Sequence, residues 1–379
     1  MFRETQVIIL ATGAGTGLRP LSNERPKILA PVCNATLFRR LLGQLQVAGI
    51  QNANVVIRPA SQQIHKLFTT EAPVAFRISV SIVPEDIDGT VPVVRHVWDS
   101  SSSSALVIYG DSLLSMDFRA LLDFHYGTRK QGSLATILFH QPADLRSPRT
   151  DGKSYHGVLS VNREGQVTRF IEKPSVAEIH PGFDLASAAV FVCEKSLFKH
   201  PHLRNAKDFS TDVFERIATE NSLLLYGCSI GSGFRSDVGT ISRFFDANMR
   251  VLRRELAVPI PGREVSPGVW VGRNTHCDQA HLIPPTCLGS EVSIGKGTQI
   301  GPGAVIGDAC QISEGASVRD SILLEHCQVN AHAEIESSIL GPHCRVANGV
   351  KVHNDSVLGA YTIVGAADCI SVGGQRRQP

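Results

Sequence analysis

The sequence predicts an α/β fold in its first two thirds: a mixed, mostly parallel sheet with helices on both faces over residues 1–257. A parallel β-helix follows over 258–372, then a short tail at 373–379. Three observations carry this reading. Aliphatic residues recur every six positions through the last third, strand-like and helix-like stretches alternate before it, and the large rings are unevenly placed. Of 16 Phe, 5 Tyr and 2 Trp, only Trp270 and Tyr361 fall after residue 257.

In the first part, Gln6–Ala11 reads as a buried strand running into a glycine loop. Leu37–Ala48 has helical spacing, with Leu37, Leu41 and Leu45 beside Phe38 and Leu42. Strand-like runs return at Val55–Ile57, Ile78–Val83, Ala105–Tyr109 and Ala135–Phe139, with helix-like stretches at 61–68, 90–98 and 117–126. Such alternation gives a parallel sheet, whose ligands bind beyond the carboxyl ends of the strands.

In the last part, Leu282, Leu288, Ile294, Ile300, Ile306, Ile312, Val318 and Leu324 keep a six-residue step. Five-residue steps lead to Val329 with Ile335, and then to Leu340, Val346, Val352, Leu358, Val364 and Ile370. Each six-residue side of a triangular coil points one aliphatic into a narrow shaft, and three sides close a coil. A shaft that narrow excludes rings, which explains their scarcity. Cys310 and Cys344 fall at the small-residue position and read as shaft fillers.

The bulk numbers exclude several function classes. The net charge is +2, from 37 basic and 35 acidic residues, so nucleic acid is not an expected partner. No apolar run approaches a membrane span, and VIIL at 7–10 is too short for a signal-peptide core, so a cytoplasmic protein is expected. Nine scattered cysteines without a Cys-x-x-Cys pair point to neither zinc nor a disulfide framework.

The chemistry-bearing stretch is Ala11-Thr12-Gly13-Ala14-Gly15-Thr16-Gly17-Leu18-Arg19-Pro20-Leu21, then Arg25-Pro26-Lys27. Glycines directly after a first strand let backbone N–H groups approach phosphate. The dinucleotide fingerprint fails because Leu18 stands at its third glycine, and no Gly-Lys-Ser/Thr makes a P-loop. Further on come Gly89-Thr90, Tyr109-Gly110-Asp111, Tyr155-His156-Gly157-Val158, Phe170-Ile171-Glu172-Lys173-Pro174 and Asp237-Val238-Gly239-Thr240.

In that order these motifs resemble the signature of sugar-nucleotide pyrophosphorylases (nucleotidyltransferases). The branch most resembled is mannose-1-phosphate guanylyltransferase-like and glucose-1-phosphate nucleotidyltransferase-like, with a hexapeptide tail. The resemblance implies a Rossmann-like nucleotidyltransferase domain and a left-handed β-helix. It also implies attack of a sugar 1-phosphate on the α-phosphorus of a nucleoside triphosphate, with Mg²⁺ as cofactor. By the same resemblance Lys27, Arg19 and Asp111 are catalytic, and Asp111 with Asp237 holds the metal. Ala11, Gly13, Gly15, Thr16, Gly89 and Thr90 contact the nucleotide, while Gly157, Glu172, Lys173 and Ser187 face the sugar phosphate. Read without the resemblance, Asp111 and Asp237 are helix caps, Lys27 a surface lysine, and Glu172–Lys173 a solvated pair.

The departures from the signature are specific. Gly17 stands where the family has an arginine, a bidentate phosphate contact that glycine cannot replace. Thr12 replaces the first glycine, Ser187-Ala188-Ala189 the usual Asn-Ala-Gly, and Ile241 a common proline. One expectation is that Arg19 or Arg25 takes over neutralisation and that Gly17→Arg raises turnover. Another is a weakly active or inactive nucleotide- or sugar-phosphate-binding homologue partnered with an active relative. A third class, a hexapeptide acyltransferase, would draw a general base from His276, His281, His326, His332, His343 or His353. The flat sides of a solenoid suit homo-oligomer packing.

Overall fold

The fold is that of a computed structural model, which describes residues 4–59, 65–73, 75–142, 144–220, 223–353 and 355–365. Residues 61–64 of the helix expected at 61–68, Cys369, Ile370 of the repeat and the tail lie outside them. The chain forms two compact units. One comprises the chain through Gly13, Phe38–Gly110 and Leu114–Arg235; the other comprises Ala14–Leu37, Asp111–Leu113 and the chain from Ser236 onward.

In chain order the elements are β1 (Thr5–Leu10), β2 (Pro31–Val32), β3 (Ala35–Thr36), α1 (Leu37–Val47), β4 (Asn52–Ile57), α2 (His65–Thr70) and β5 (Arg77–Ile82). Then come α3 (Thr90–Val97), β6 (Ser104–Tyr109), β7 (Ser112–Ser115), α4 (Phe118–Arg129), β8 (Ser133–His140), β9 (Gly157–Val161) and β10 (Val167–Glu172). The series continues with β11 (Leu185–Glu194), α5 (Glu215–Thr219), β12 (Leu224–Ser229), β13 (Phe234–Asp237) and α6 (Ile241–Leu252).

The first unit is built on one mixed sheet of nine strands in the order β10-β9-β11-β6-β1-β4-β5, with β8 beside β11 and β12 beside β8. Strands β6, β1, β4 and β5 run parallel, and β11 is antiparallel to β6. The central parallel strands β6, β1 and β4 carry buried apolar runs, as burial on both faces requires: Ile8, Ile9, Val55, Val56, Leu106 and Val107 have no solvent exposure. The edge strand β5 instead alternates, with Arg77, Ser79 and Ser81. Helix α1 buries Phe38, Leu42 and Leu45 completely, the stripe its spacing predicts. Helix α4 is capped by Asp117, whose carboxylate accepts from the N–H groups of Arg119 and Ala120 at 2.9 and 3.0 Å.

Strand β1 lies between β4 and β6: the chain runs outward from β1 through β4 to β5, then crosses back to β6 on the other side of β1. This is the switch point of the sheet, where parallel strands leave a crevice at their carboxyl ends. Leu10 pairs with Tyr109 there, and the Gly110 N–H donates to the Leu10 carbonyl at 3.1 Å. The glycine loop and Asp111 therefore leave the sheet side by side.

The second unit is dominated by the β-helix, whose short parallel strands stack into three sheets. Its shaft is filled by one aliphatic per side. Leu288, Ile306, Leu323, Leu340 and Leu358 line one column, Ile300, Val318, Ile335 and Val352 a second, and Ile312, Val329 and Val346 a third. Each such residue removed from water contributes about 1.5–3 kcal/mol.

The register departs from the sequence expectation at one place. Leu323, not Leu324, enters the shaft, so the first five-residue step comes one side earlier. Leu324 points outward and lines a cavity with Leu18, Leu21 and Phe244. Cys310 and Cys344 are buried as expected, and Cys327 completes their column. The three thiols donate to the carbonyls of Leu324, Gly359 and Gly341, respectively. Neither ring of this part fills the shaft: Trp270 lies under the Arg254 guanidinium, and Tyr361 stacks on His343 outside.

Candidate active site

Ala11 and Gly13 end the first unit's share of the glycine loop; Gly15 and Thr16 begin the second's. The Ala11 N–H is spent on the Val56 carbonyl at 2.9 Å. Gly15 has a φ of +66°, and its carbonyl accepts from the Ser22 hydroxyl at 2.6 Å. That left-handed turn starts a single helical turn at Thr16–Leu18, which is why glycine is needed at 15.

Gly17 is constrained by space. A Cβ there would sit 2.3 Å from the Gly239 carbonyl oxygen. The loop is thus seated backbone-to-backbone on the segment after Asp237, and arginine has no room without lifting the loop. Lys27 reaches the same place: a Cβ on Gly239 would lie 3.3 Å from its Nζ. Lys27 and the exposed Arg19 have no ion-pair partner among the described residues, so both are available to an anion.

Arg25 is not available in that way. It forms a short ion pair with Glu325, tying the loop to the β-helix, with side chains 21% and 26% exposed. Asn34, at a left-handed φ of +61° between β2 and β3, donates to the Ile306 carbonyl at 2.9 Å. The Cys33 N–H donates to the Asn248 side chain at 2.8 Å. The loop is therefore held from the β-helix and from α6, all within one unit.

The two expected metal carboxylates differ. Asp111 has only the Ser112 hydroxyl, at 3.4 Å, and no cation beside it among the described residues. Asp237 Oδ1 accepts from the Gly239 N–H at 2.8 Å, and Oδ2 accepts from Arg243 in a short ion pair. Thr240, not Asp237, caps α6; its hydroxyl accepts from the Arg243 N–H at 3.3 Å.

In the first unit, Gly89 has a φ of +94°, and a Cβ there would meet the Lys207 carbonyl at 2.5 Å. Thr90 opens α3, but its hydroxyl is engaged, donating to Asp208 at 3.0 Å and accepting from the Phe209 N–H at 3.1 Å. Gly157 pairs with Glu172 across β9 and β10, and a Cβ at 157 would lie 2.7 Å from the Glu172 carboxylate. Glu172 is ion-paired with Lys173 at 3.2 Å, and its N–H donates to Glu215 at 2.6 Å. Lys173 is bent to a φ of +50°, which turns the pair out of the strand line. Ser187 accepts from the Ala189 N–H at 3.3 Å, and Ala189 has a φ of +58°, which accounts for the family's glycine at that place.

Sequence reasoning missed Arg243, Glu215 and a buried cluster of His140, His156 and Arg235. Arg243 carried a signal: a cation in the first turn of a helix opposes the helix dipole and calls for a specific anion. His140 and His156 are 7% and 6% exposed, and Arg235 approaches His156 at 3.5 Å. Burial, with Arg235 and His156 beside it, pushes the His140 imidazole down to about 3. The candidate acyltransfer histidines lie on the outside of the coil; His326, His343 and Tyr361 stack face to face at 4.7 Å. No helix of the described residues is long and apolar enough to cross a membrane.

The second unit thus holds the turn at Gly15, Lys27 and Asp111, and the first holds the Glu172–Lys173 pair beside Gly157. The chain belongs to the nucleotidyl transferase family, whose model matches residues 6–254; a GMPPB C-terminal domain model matches 282–375. It is 24% identical to a UTP–glucose-1-phosphate uridylyltransferase of Synechocystis over 85% of this chain and 83% of that protein. It is 26% identical to glucose-1-phosphate adenylyltransferase 2 of Vibrio cholerae (85% and 81%). It is 24% identical to a mannose-1-phosphate guanylyltransferase of Mycobacterium tuberculosis (78% and 78%). Its relatives are thus sugar-1-phosphate nucleotidyltransferases.

Proposed function

We propose that this chain joins a nucleoside triphosphate to a hexose 1-phosphate, of the glucose or mannose kind, releasing pyrophosphate. A phosphate oxygen of the sugar attacks the α-phosphorus, and the bond to the bridging oxygen of the β-phosphate breaks. Such transfers need in-line positioning and charge neutralisation rather than a protein nucleophile. The observation that carries the reading is the Lys27 ammonium, without an ion-pair partner among the described residues, beside Gly239, on which the Gly15–Gly17 turn is seated. Lys27, with Arg19, would neutralise the triphosphate. Gly15 and Thr16 would line the phosphates, and Gly89 with Thr90 the base. Gly157 would give the sugar access to backbone, with Glu172, Lys173 and Ser187 around its hydroxyls and phosphate.

Mg²⁺ fits this donor set at Asp111, since magnesium takes one or two carboxylates and fills its shell with phosphate and water oxygens. Bound there, it would supply charge stabilisation between the phosphates. Among the described residues no cluster of three or more His, Cys, Asp or Glu forms a metal cage, so substrate oxygens would complete the shell. The β-helix is taken as left-handed and as the surface for homo-oligomer assembly.

A second reading, a binding subunit with little turnover that partners an active homologue, is favoured by the engagement of Asp237 with Arg243. A thermal-shift panel of nucleoside triphosphates and sugar 1-phosphates with Mg²⁺, followed by pyrophosphate release on the stabilising pairs, separates the two. Release with at least one pair is expected. Stabilisation without release from any pair supports the second reading, and no stabilisation at all overturns both.

A further inference from the structure

Both carboxylate oxygens of Asp237 are engaged within its own unit. One carboxylate oxygen takes the Gly239 N–H at 2.8 Å, and the other takes the Arg243 guanidinium. The side chains are 24% and 20% exposed, so solvent screens the pair only in part. Arg243 stands in the first turn of α6, where the helix dipole repels it, and the carboxylate offsets that repulsion. Asp111, in the same unit, faces no such competitor among the described residues.

We propose that Arg243 is the resident cation of Asp237. Its guanidinium holds the place on that carboxylate which a divalent metal would take, so of the two expected carboxylates only Asp111 stays open to metal. Arg243 also brings to Gly239, where Gly17 is seated, a positive charge that residue 17 does not carry. A guanidinium already in place needs no dehydration, whereas magnesium and manganese must shed water to displace it. Only the identity of the phosphate ligand rests on the transferase reading; the contest between Arg243 and a metal for Asp237 does not.

The test is Mn²⁺ alone, without nucleotide, followed by the loss of the free-ion EPR signal. Wild type, R243Q, R243K, D237N, D111N and the double variant R243Q/D237N are compared. R243Q is expected to bind Mn²⁺ about tenfold more tightly than wild type, because a carboxylate freed of its counter-ion becomes a ligand. The gain disappears in R243Q/D237N, and R243K, which keeps a cation, stays near wild type. In the wild-type background D237N leaves Mn²⁺ binding unchanged while D111N removes it, a comparison that holds even where R243Q does not fold. Equal Mn²⁺ affinity in R243Q and wild type, a gain that survives D237N, or a loss on D237N alone overturns the proposal. Absence of turnover would count against the transferase reading and leave these results standing.

Discussion

Gly17→Ala isolates the seating of the glycine loop. The added Cβ would lie 2.3 Å from the Gly239 carbonyl oxygen, and real contacts essentially never fall under 3.0 Å, so the backbones must part by at least 0.7 Å. Replacing glycine by alanine ordinarily stabilises by about 0.4–1 kcal/mol through the unfolded chain. Forcing extra volume against backbone costs about 1–3 kcal/mol. The second effect wins, because the obstructing atom is a carbonyl and not the end of a flexible side chain, and a net loss of about 1–2 kcal/mol is expected. Urea unfolding followed by fluorescence measures it. In a Trp98→Phe background Trp270 is the sole tryptophan, and it lies in the unit that holds the loop. Gly17→Arg meets the same carbonyl with a larger group, so it is expected to lower both stability and any pyrophosphate release. An unshifted midpoint for Gly17→Ala, or increased release by Gly17→Arg, would refute the close seating.

Two further outcomes follow from burial. His140 is depressed to about 3 by burial, with Arg235 and His156 adding to it and Asp144 opposing. The unfolded chain then takes up a proton near pH 6.5 that the folded one refuses, so this stabilisation is complete above about 6.5 and lost as pH falls toward 3. Between pH 6.5 and 5.5 it amounts to about 1 kcal/mol, and unfolding of His140→Gln at both pH values should show that much less acid sensitivity than wild type. Leu323→Ala opens a gap in the shaft and should cost about 3 kcal/mol by the Trp270 signal; a cost under about 1 kcal/mol would place residue 324 in the shaft instead.

The β-helix was legible because every coil repeats the same environment, and one aliphatic per side is the whole pattern. It failed only at Ile322-Leu323-Leu324, where three aliphatics in a row satisfy more than one register. The cavity wall of Leu18, Leu21 and Phe244 decides between them, and no local pattern reveals it. In the first part the four strands expected after Gln6–Ala11, now β4, β5, β6 and β8, lie within a few residues of their expected starts and one of their ends. Strands β2, β3, β7 and β9 to β13 are not among those expected. The motifs single out Asp111, Lys27, Glu172 and Lys173 as candidates. They did not show that the hydroxyl of Thr90 is already engaged, or that Arg25 is committed to Glu325 three hundred residues away. Such commitments arise from elements that meet only in the fold.

The glycine at 17 reads differently once its surroundings are known. Taken from the signature, it is a missing phosphate clamp. In the fold it lets the loop approach Gly239, and the same approach brings Lys27 to the segment that carries Asp237. Arg243 then stands on that aspartate from α6. Lys27 and Arg243 oppose Asp111 and Asp237, two charges against two, which is the balance that arginine at 17 with Lys27 would give. The positive charge has a different address, and the address matters. A loop arginine would be free to follow phosphate, whereas Arg243 is anchored through Thr240 and Asp237 and can meet an anion only beside its own carboxylate. On the proposed transferase reading, an incoming triphosphate would have to draw Arg243 away from Asp237 or leave that aspartate out of its coordination. On the same reading, either route would leave Asp111 and Lys27 as the principal holders of the phosphates.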